Sequence, residues 1–161
     1  MRIHTLPESK RYPENELEYQ EILSRHNTIL CEITDHSGDI VVILPEYSEA
    51  RDPTNPVKVL NEMFPASKYW RSIAQHEQCD EDEYYWHLHV VSIPYSGSEL
   101  NSLLRLVVND EIRNIMVVAL SSEVVYHPYD GGADIVMHST ERRDEIKQNH
   151  ANWLSKHPDG Y

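Results

Sequence analysis

The sequence predicts an α+β fold, a single domain built on a mainly antiparallel sheet of about five or six strands, with helices packed on one face and at the ends. Three observations predict it. Strand-like runs follow one another directly between Ile115 and Met137, where a parallel doubly wound fold would need a helix between each pair. Apolar stripes at helical spacing flank these runs. The 161 residues are 40% hydrophobic and 25% charged, which is the make-up of one globular domain.

Residues 1–13, with Pro7 and Pro13, read as a polar N-terminal arm, leaving 14–161 as the domain. From Glu14 to His26, Leu17, Ile22 and Leu23 are spaced for one buried helix face, and Asn27-Thr28 ends the helix. Ile29–Thr34 and Asp39–Leu44 are β-rich runs around Asp35-His36-Ser37-Gly38, a hairpin signal. The second run is apolar on successive residues, the pattern of a strand covered on both faces. Pro45, Pro53, Pro56 and Pro65 punctuate a loop-rich connection with one short helix, on which Val57, Leu60 and Phe64 form a stripe.

Tyr69-Trp70-Arg71-Ser72-Ile73 leads into an exposed acidic loop, Glu77–Glu83, and then into an aromatic, β-branched strand from Tyr84 to Ile93 that Pro94 stops. Ser96 is placed to cap a helix bearing Leu100, Leu103, Leu104, Val107 and Val108. Ile115–Leu120 and Glu123–His127 make a second hairpin, and Ala133–His138 is a further strand. Ser139 or Thr140 caps a last helix to about Lys156, with Glu141 and Asp144 near its positive end.

Fourteen Lys and Arg against 27 Asp and Glu give a formal net charge of −13. Such a field repels phosphate, so neither nucleic acid nor an anionic membrane is expected as a partner, whereas a basic protein is attracted. Cys31 and Cys79 lie far apart with no metal-ligand spacing, so two ordinary thiols are expected. The polar start and the lack of any long apolar stretch point to the cytoplasm.

Candidate chemistry is sparse, and no cofactor is expected. His87-Leu88-His89 puts two imidazoles on one strand face, a legal metal-ligand geometry without a visible third ligand. Trp86, Leu88 and Val90 then take the apolar face, which places the histidines on a partly solvated side. Tyr129-Asp130-Gly131-Gly132-Ala133-Asp134 is the most distinctive stretch. It reads as a structural turn of Tyr129, Asp130, Gly131, Gly132 and Asp134, although Asp130 and Asp134 could join His87 and His89 in a small metal-assisted hydrolase. In Glu77, Asp80, Glu81, Asp82 and Glu83 five of seven successive residues are acidic. With Tyr84 and Tyr85 beside them, they read as a docking surface as well as a solvated loop.

Residues 115–156, with the Val124–Ile135 stretch and Trp153-Leu154 near their end, resemble the C-terminal part of an uncharacterised family of small bacterial domains. Those domains finish with a Tyr-Asp-Asp-Arg-Gly-x-Asp loop, a strand and a Trp-containing helix. Here the loop is one residue shorter and lacks the Arg. By type, a small acidic domain also resembles the immunity proteins of bacterial polymorphic toxin systems, including contact-dependent growth inhibition. That resemblance implies a non-enzymatic protein that binds and blocks one cognate toxin domain, commonly a basic nuclease. A regulatory adaptor is the residual expectation.

Overall fold

The structure is a computed structural model that describes residues 1–35, 38–53, 58–75 and 84–154. Asn15 opens the first helix, α1 (Glu16–Ile33), by accepting a 3.1 Å hydrogen bond from the Glu18 amide. Ile22, His26, Ile29, Leu30 and Ile33 fall on one stripe of α1 and are buried. The helix therefore runs straight through residues 29–34, which the sequence suggested as a strand. Burying each of the four aliphatics, Ile22, Ile29, Leu30 and Ile33, is worth roughly 1.5–3 kcal/mol, against at most about 0.7 kcal/mol of unfavourable helix propensity. The expected hairpin with 39–44 does not form, and Leu17 is exposed rather than buried.

Seven strands make one antiparallel sheet: β1 (Arg2–His4), β2 (Gly38–Ser48), β3 (Lys68–Gln75), β4 (Tyr84–Tyr95), β5 (Met116–Ala119), β6 (Val124–Tyr129) and β7 (Gly132–Met137). Their spatial order is β1-β7-β6-β5-β2-β4-β3, and every neighbouring pair is antiparallel. The α+β class stands as expected. The strand count is higher because β1 lies inside the supposed arm and β3 inside the supposed lead-in to the acidic loop. The first residues are thus part of the fold, with Ile3 and Leu6 buried.

Three strand prolines obey one rule. Pro45, Pro94 and Pro128 each sit where their strand has outrun one of its neighbours, since β5 pairs only with Ile40–Ile43 and Val124–Tyr126, and β3 pairs with β4 no further than Val90. A missing N–H breaks no ladder on the vacant side. Pro94 accordingly continues β4 instead of ending it.

The remaining helices are α2 (Lys58–Met63), α3 (Asn101–Val108) and α4 (Thr140–Asn149). At the start of α3 the expected roles are reversed. The Glu99 carboxylate accepts from the Ser96 hydroxyl and from the amides of Ser96, Gly97 and Ser98. Those bonds, the Ser96 hydroxyl first, push its carboxyl down to about 2. Ser139 caps α4 through the Arg142 amide at 3.1 Å. That helix ends at Asn149, short of the expected Lys156, because His150 leaves helical geometry and a 3₁₀ turn follows over Ala151–Trp153.

One face of the sheet forms the core. Ile40, Val42, Leu44, Val91, Val117, Tyr126 and Ile135 join residues of all four helices in a single buried cluster, including Leu30, Leu60, Leu104 and Ile146. On the opposite face Val41, Ile43, Val90 and Val118 are only half-buried, and Leu120 and Val136 are exposed. No described helix covers that face, so around Val41 and Ile43 β2 is apolar on both sides but covered by described residues on one, whereas Pro45 and Leu88 further along that face are buried. No helix among the described residues is long and apolar enough to cross a membrane.

Candidate functional site

Strand alternation places His87 and His89 opposite Glu46 and Leu44, on the helix-covered side of the sheet. Both are buried, contrary to the solvated placement expected for them. Large residues on both faces of β4 hide from the sequence which side turns inward. His87 is held from each ring nitrogen: Nδ1 is 2.6 Å from the Ser72 hydroxyl and Nε2 is 2.8 Å from that of Ser48. Tyr69 joins through a 2.9 Å contact between its hydroxyl and that of Ser72, and the Tyr85 ring stacks on the imidazole. The chain Tyr69–Ser72–His87–Ser48 ties β3, β4 and β2 together. Tyr69 and Ser72 share β3, but His87 lies 15 residues from Ser72 and Ser48 lies 39 from His87, each on another strand, and no spacing signal betrays the group.

At this end of the sheet β3 is an edge strand. Tyr69, Trp70 and Ile73 are exposed on it, as is Tyr84 where β4 begins. Among the described residues the backbone of β3 bonds only to β4, which leaves a row of outward-facing groups along its other side. In sequence β3 runs into the acidic stretch Glu77, Asp80, Glu81, Asp82 and Glu83, which lies outside the described residues. Of the expected docking residues Tyr84 and Tyr85 are placed, the first exposed and the second half-buried against His87.

The glycine loop lies toward the other lateral edge of the sheet, where β6 turns into β7. Asp130 and Gly131 form the tight connection from β6 to β7. The Asp130 carboxylate, almost wholly buried, meets the Arg11 guanidinium at 2.7 Å and accepts from the Tyr12 hydroxyl at 2.8 Å. Asp134 takes two 2.7 Å bonds from Arg2, and that guanidinium holds its carboxyl below the usual carboxylate range. Gly132 sits against β1 so closely that a Cβ there would lie 2.0 Å from the Ile3 carbonyl oxygen. Above the loop, burial pushes the Tyr129 phenol up to about 12. The loop makes the turn between two strands, and both aspartates bond the N-terminal segment more than a hundred residues away.

The four residues of the hydrolase reading are not brought together. β4 and β7 are separated by β2, β5 and β6, about 19 Å at the usual ~4.8 Å strand spacing. Among the described residues no three His, Cys, Asp or Glu side chains group closely enough to hold a metal ion. Cys31 is half-buried, its thiol pushed up by burial, and Cys79 lies outside the described residues.

One family matches over residues 1–158, and it is described as a domain of unknown function (DUF3885). No curated protein and no solved structure matches the chain.

Proposed function

The chain belongs to the DUF3885 family, and on that premise we propose that it is a binding module: an immunity protein that neutralises a cognate, basic, nuclease-type bacterial toxin domain by covering it. The observation that carries this reading is the β3 edge, unpaired on its outer side among the described residues, which presents exposed aromatics and continues in sequence into the densest run of carboxylates in the chain. An open edge offers main-chain hydrogen bonds to an incoming strand, and aromatic side chains beside it supply anchors. The excess of 13 negative charges supports the choice of a basic partner, because it speeds encounter and disfavours acidic competitors. This work would be done in the cytoplasm, where a toxin delivered from a neighbouring cell acts. The hydrolase alternative on His87, His89, Asp130 and Asp134 gains no support, since β4, which carries the histidines, and β7, which carries Asp134, lie about 19 Å apart across the sheet.

The first test is whether the gene immediately upstream encodes a large exported protein with a separate C-terminal domain, and the absence of such a gene counts against the reading. The second is co-expression of that domain with this chain. Rescue of poisoned cells by the wild-type chain is the expected result. Replacing Asp80, Glu81, Asp82 and Glu83 together by Ser should slow association, with the defect shrinking at high salt. Absence of rescue by the wild-type chain would overturn this reading, whereas rescue and association unchanged by the quadruple variant at both ionic strengths would show that the acidic run is only a solvated loop and that the toxin surface lies elsewhere.

A further inference from the structure

The uncovered face of the sheet is a second feature, opposite the helices, and it shares Trp70 with the β3 edge. Val41, Ile43, Trp70, Val90, Val118 and Leu120 line a shallow apolar depression of about 320 Å³ on it. Trp70 is 53% exposed, Leu120 65% and Val136 66%. Scattered exposed apolar residues are ordinary on a protein surface, but a contiguous patch spread over several strands marks an interaction site. We propose that a second copy of this chain covers this face, making a homodimer of two sheets packed face to face.

Three observations select a second copy over a foreign chain. The first is the pattern of β2, whose successive apolar residues belong to strands covered on both faces, while the described residues of the single chain cover one. A cover encoded in the strand itself is supplied most directly by an identical strand.

The second is charge. Over most of its surface a chain with net charge −13 repels its own copies. This face is the exception, because its strands present Lys68, Arg71 and Arg2 against Asp39 and Asp134, close to neutrality. A basic toxin would gain nothing electrostatically by docking here, whereas two copies can meet here without repulsion.

The third is area. From Asp39 to Tyr47, β2 spans about 27 Å at the usual strand rise, and the strands from β7 to β3 span about 24 Å. The footprint, on the order of 600 Å², approaches the ~800 Å² per partner of a standard interface. Two sheets stacked through inner faces about 10 Å apart form a familiar sandwich, and a two-fold axis makes the contact self-complementary and closed.

Sedimentation equilibrium of the full chain over a wide concentration range tests the proposal, with no toxin present. The expected result is a monomer–dimer equilibrium that changes little with salt, since its contacts are apolar. Leu120→Glu and Val136→Glu alter side chains already exposed, so both variants should fold, as far-UV circular dichroism will show. Each should weaken dimerisation at least tenfold, whereas Glu145→Lys on the helix side should leave it unchanged. A wild-type chain monomeric throughout, or a dimer indifferent to both face variants, would sink the proposal. The quadruple acidic variant should dimerise normally, so failure of the toxin reading and failure of this one remain separable.

Discussion

At one edge of the sheet β1 is three residues long, and nearly everything around it is tied down. Arg2 grips Asp134, the N-terminal amine donates to the Ile135 carbonyl at 2.8 Å, Thr5 donates to Gly131, and Ile3 makes a backbone bridge to Leu154. At the other edge β3 runs eight residues with aromatic side chains exposed and its outer backbone groups unpaired among the described residues. Exposed edges invite pairing with other chains, so proteins usually shorten or cover them. Among the described residues this protein does so on one side only. The contrast teaches where to look for stability and where for recognition: substitutions at the β1 edge should cost folding, and those at the β3 edge should cost binding.

The largest effect is expected at Gly132. Its Cβ would meet the Ile3 carbonyl, a backbone atom that cannot swing aside. Gly132→Ala should therefore unzip β1 from β7 and lower stability by about 3 kcal/mol, the upper end of overpacking costs. A urea midpoint equal to that of the wild type would show that the β1–β7 register is not as described.

Next comes a pH effect inside the closed half. His26 on α1 is fully buried, with one ring nitrogen hydrogen-bonded to the Tyr126 hydroxyl of β6, and burial pushes its imidazole down to about 3. Between the ordinary histidine value of about 6.5 and that depressed value the unfolded chain binds a proton that the folded chain refuses. Stability contributed this way is complete above that window and is lost as pH falls through it, at up to about 1.4 kcal/mol per pH unit for one proton. Glu99 adds a loss of the same sign below the ordinary glutamate range. Urea titrations from neutral pH to pH 4.5 should show this decline, and His26→Leu should flatten its upper part. An equal slope in the variant would show that other groups set it.

Asp130→Ala should cost less, about 1 kcal/mol, the net worth of a lost hydrogen bond. Both partners, Arg11 and Tyr12, are exposed and can turn to water, so no charge is left stranded in the interior. Thermal denaturation checks this. A loss several times larger would mean that the N-terminal segment detaches as a unit when the aspartate goes.

The same contrast explains what the sequence disclosed. β2, β4, β5, β6 and β7 were legible because each carries a run of apolar or β-branched residues. β1 was not, since Arg2-Ile3-His4 has one apolar residue and its place depends on Gly132 and Asp134 far along the chain. β3 was not, because the register shifts between Tyr69 and Arg71 and spoils the period-two alternation that marks a strand. In the candidate site the turn chemistry of the glycine loop could be read locally. The Tyr69–Ser72–His87–Ser48 chain could not, because three strands must assemble before its members meet.

The smallest expected change in stability belongs to the β3 edge, and there the effect should appear elsewhere. Tyr69 is 46% exposed, and its hydroxyl meets a Ser72 that still has His87 as partner when the phenol is removed. Tyr69→Ala should therefore shift stability by no more than about 0.5 kcal/mol, as surface substitutions do. If Tyr69 anchors a partner, the same truncation removes a buried aromatic from the interface, typically worth about 2 kcal/mol or more. Such a loss appears mainly as faster dissociation, roughly thirtyfold, with association nearly unchanged. That signature is the reverse of the acidic variant, whose defect lies in association and fades with salt. Urea denaturation and dissociation kinetics on one preparation measure both quantities. A large loss of stability with an unchanged complex would make the β3 edge as structural as the β1 edge, and the difference between the two edges would no longer locate the partner.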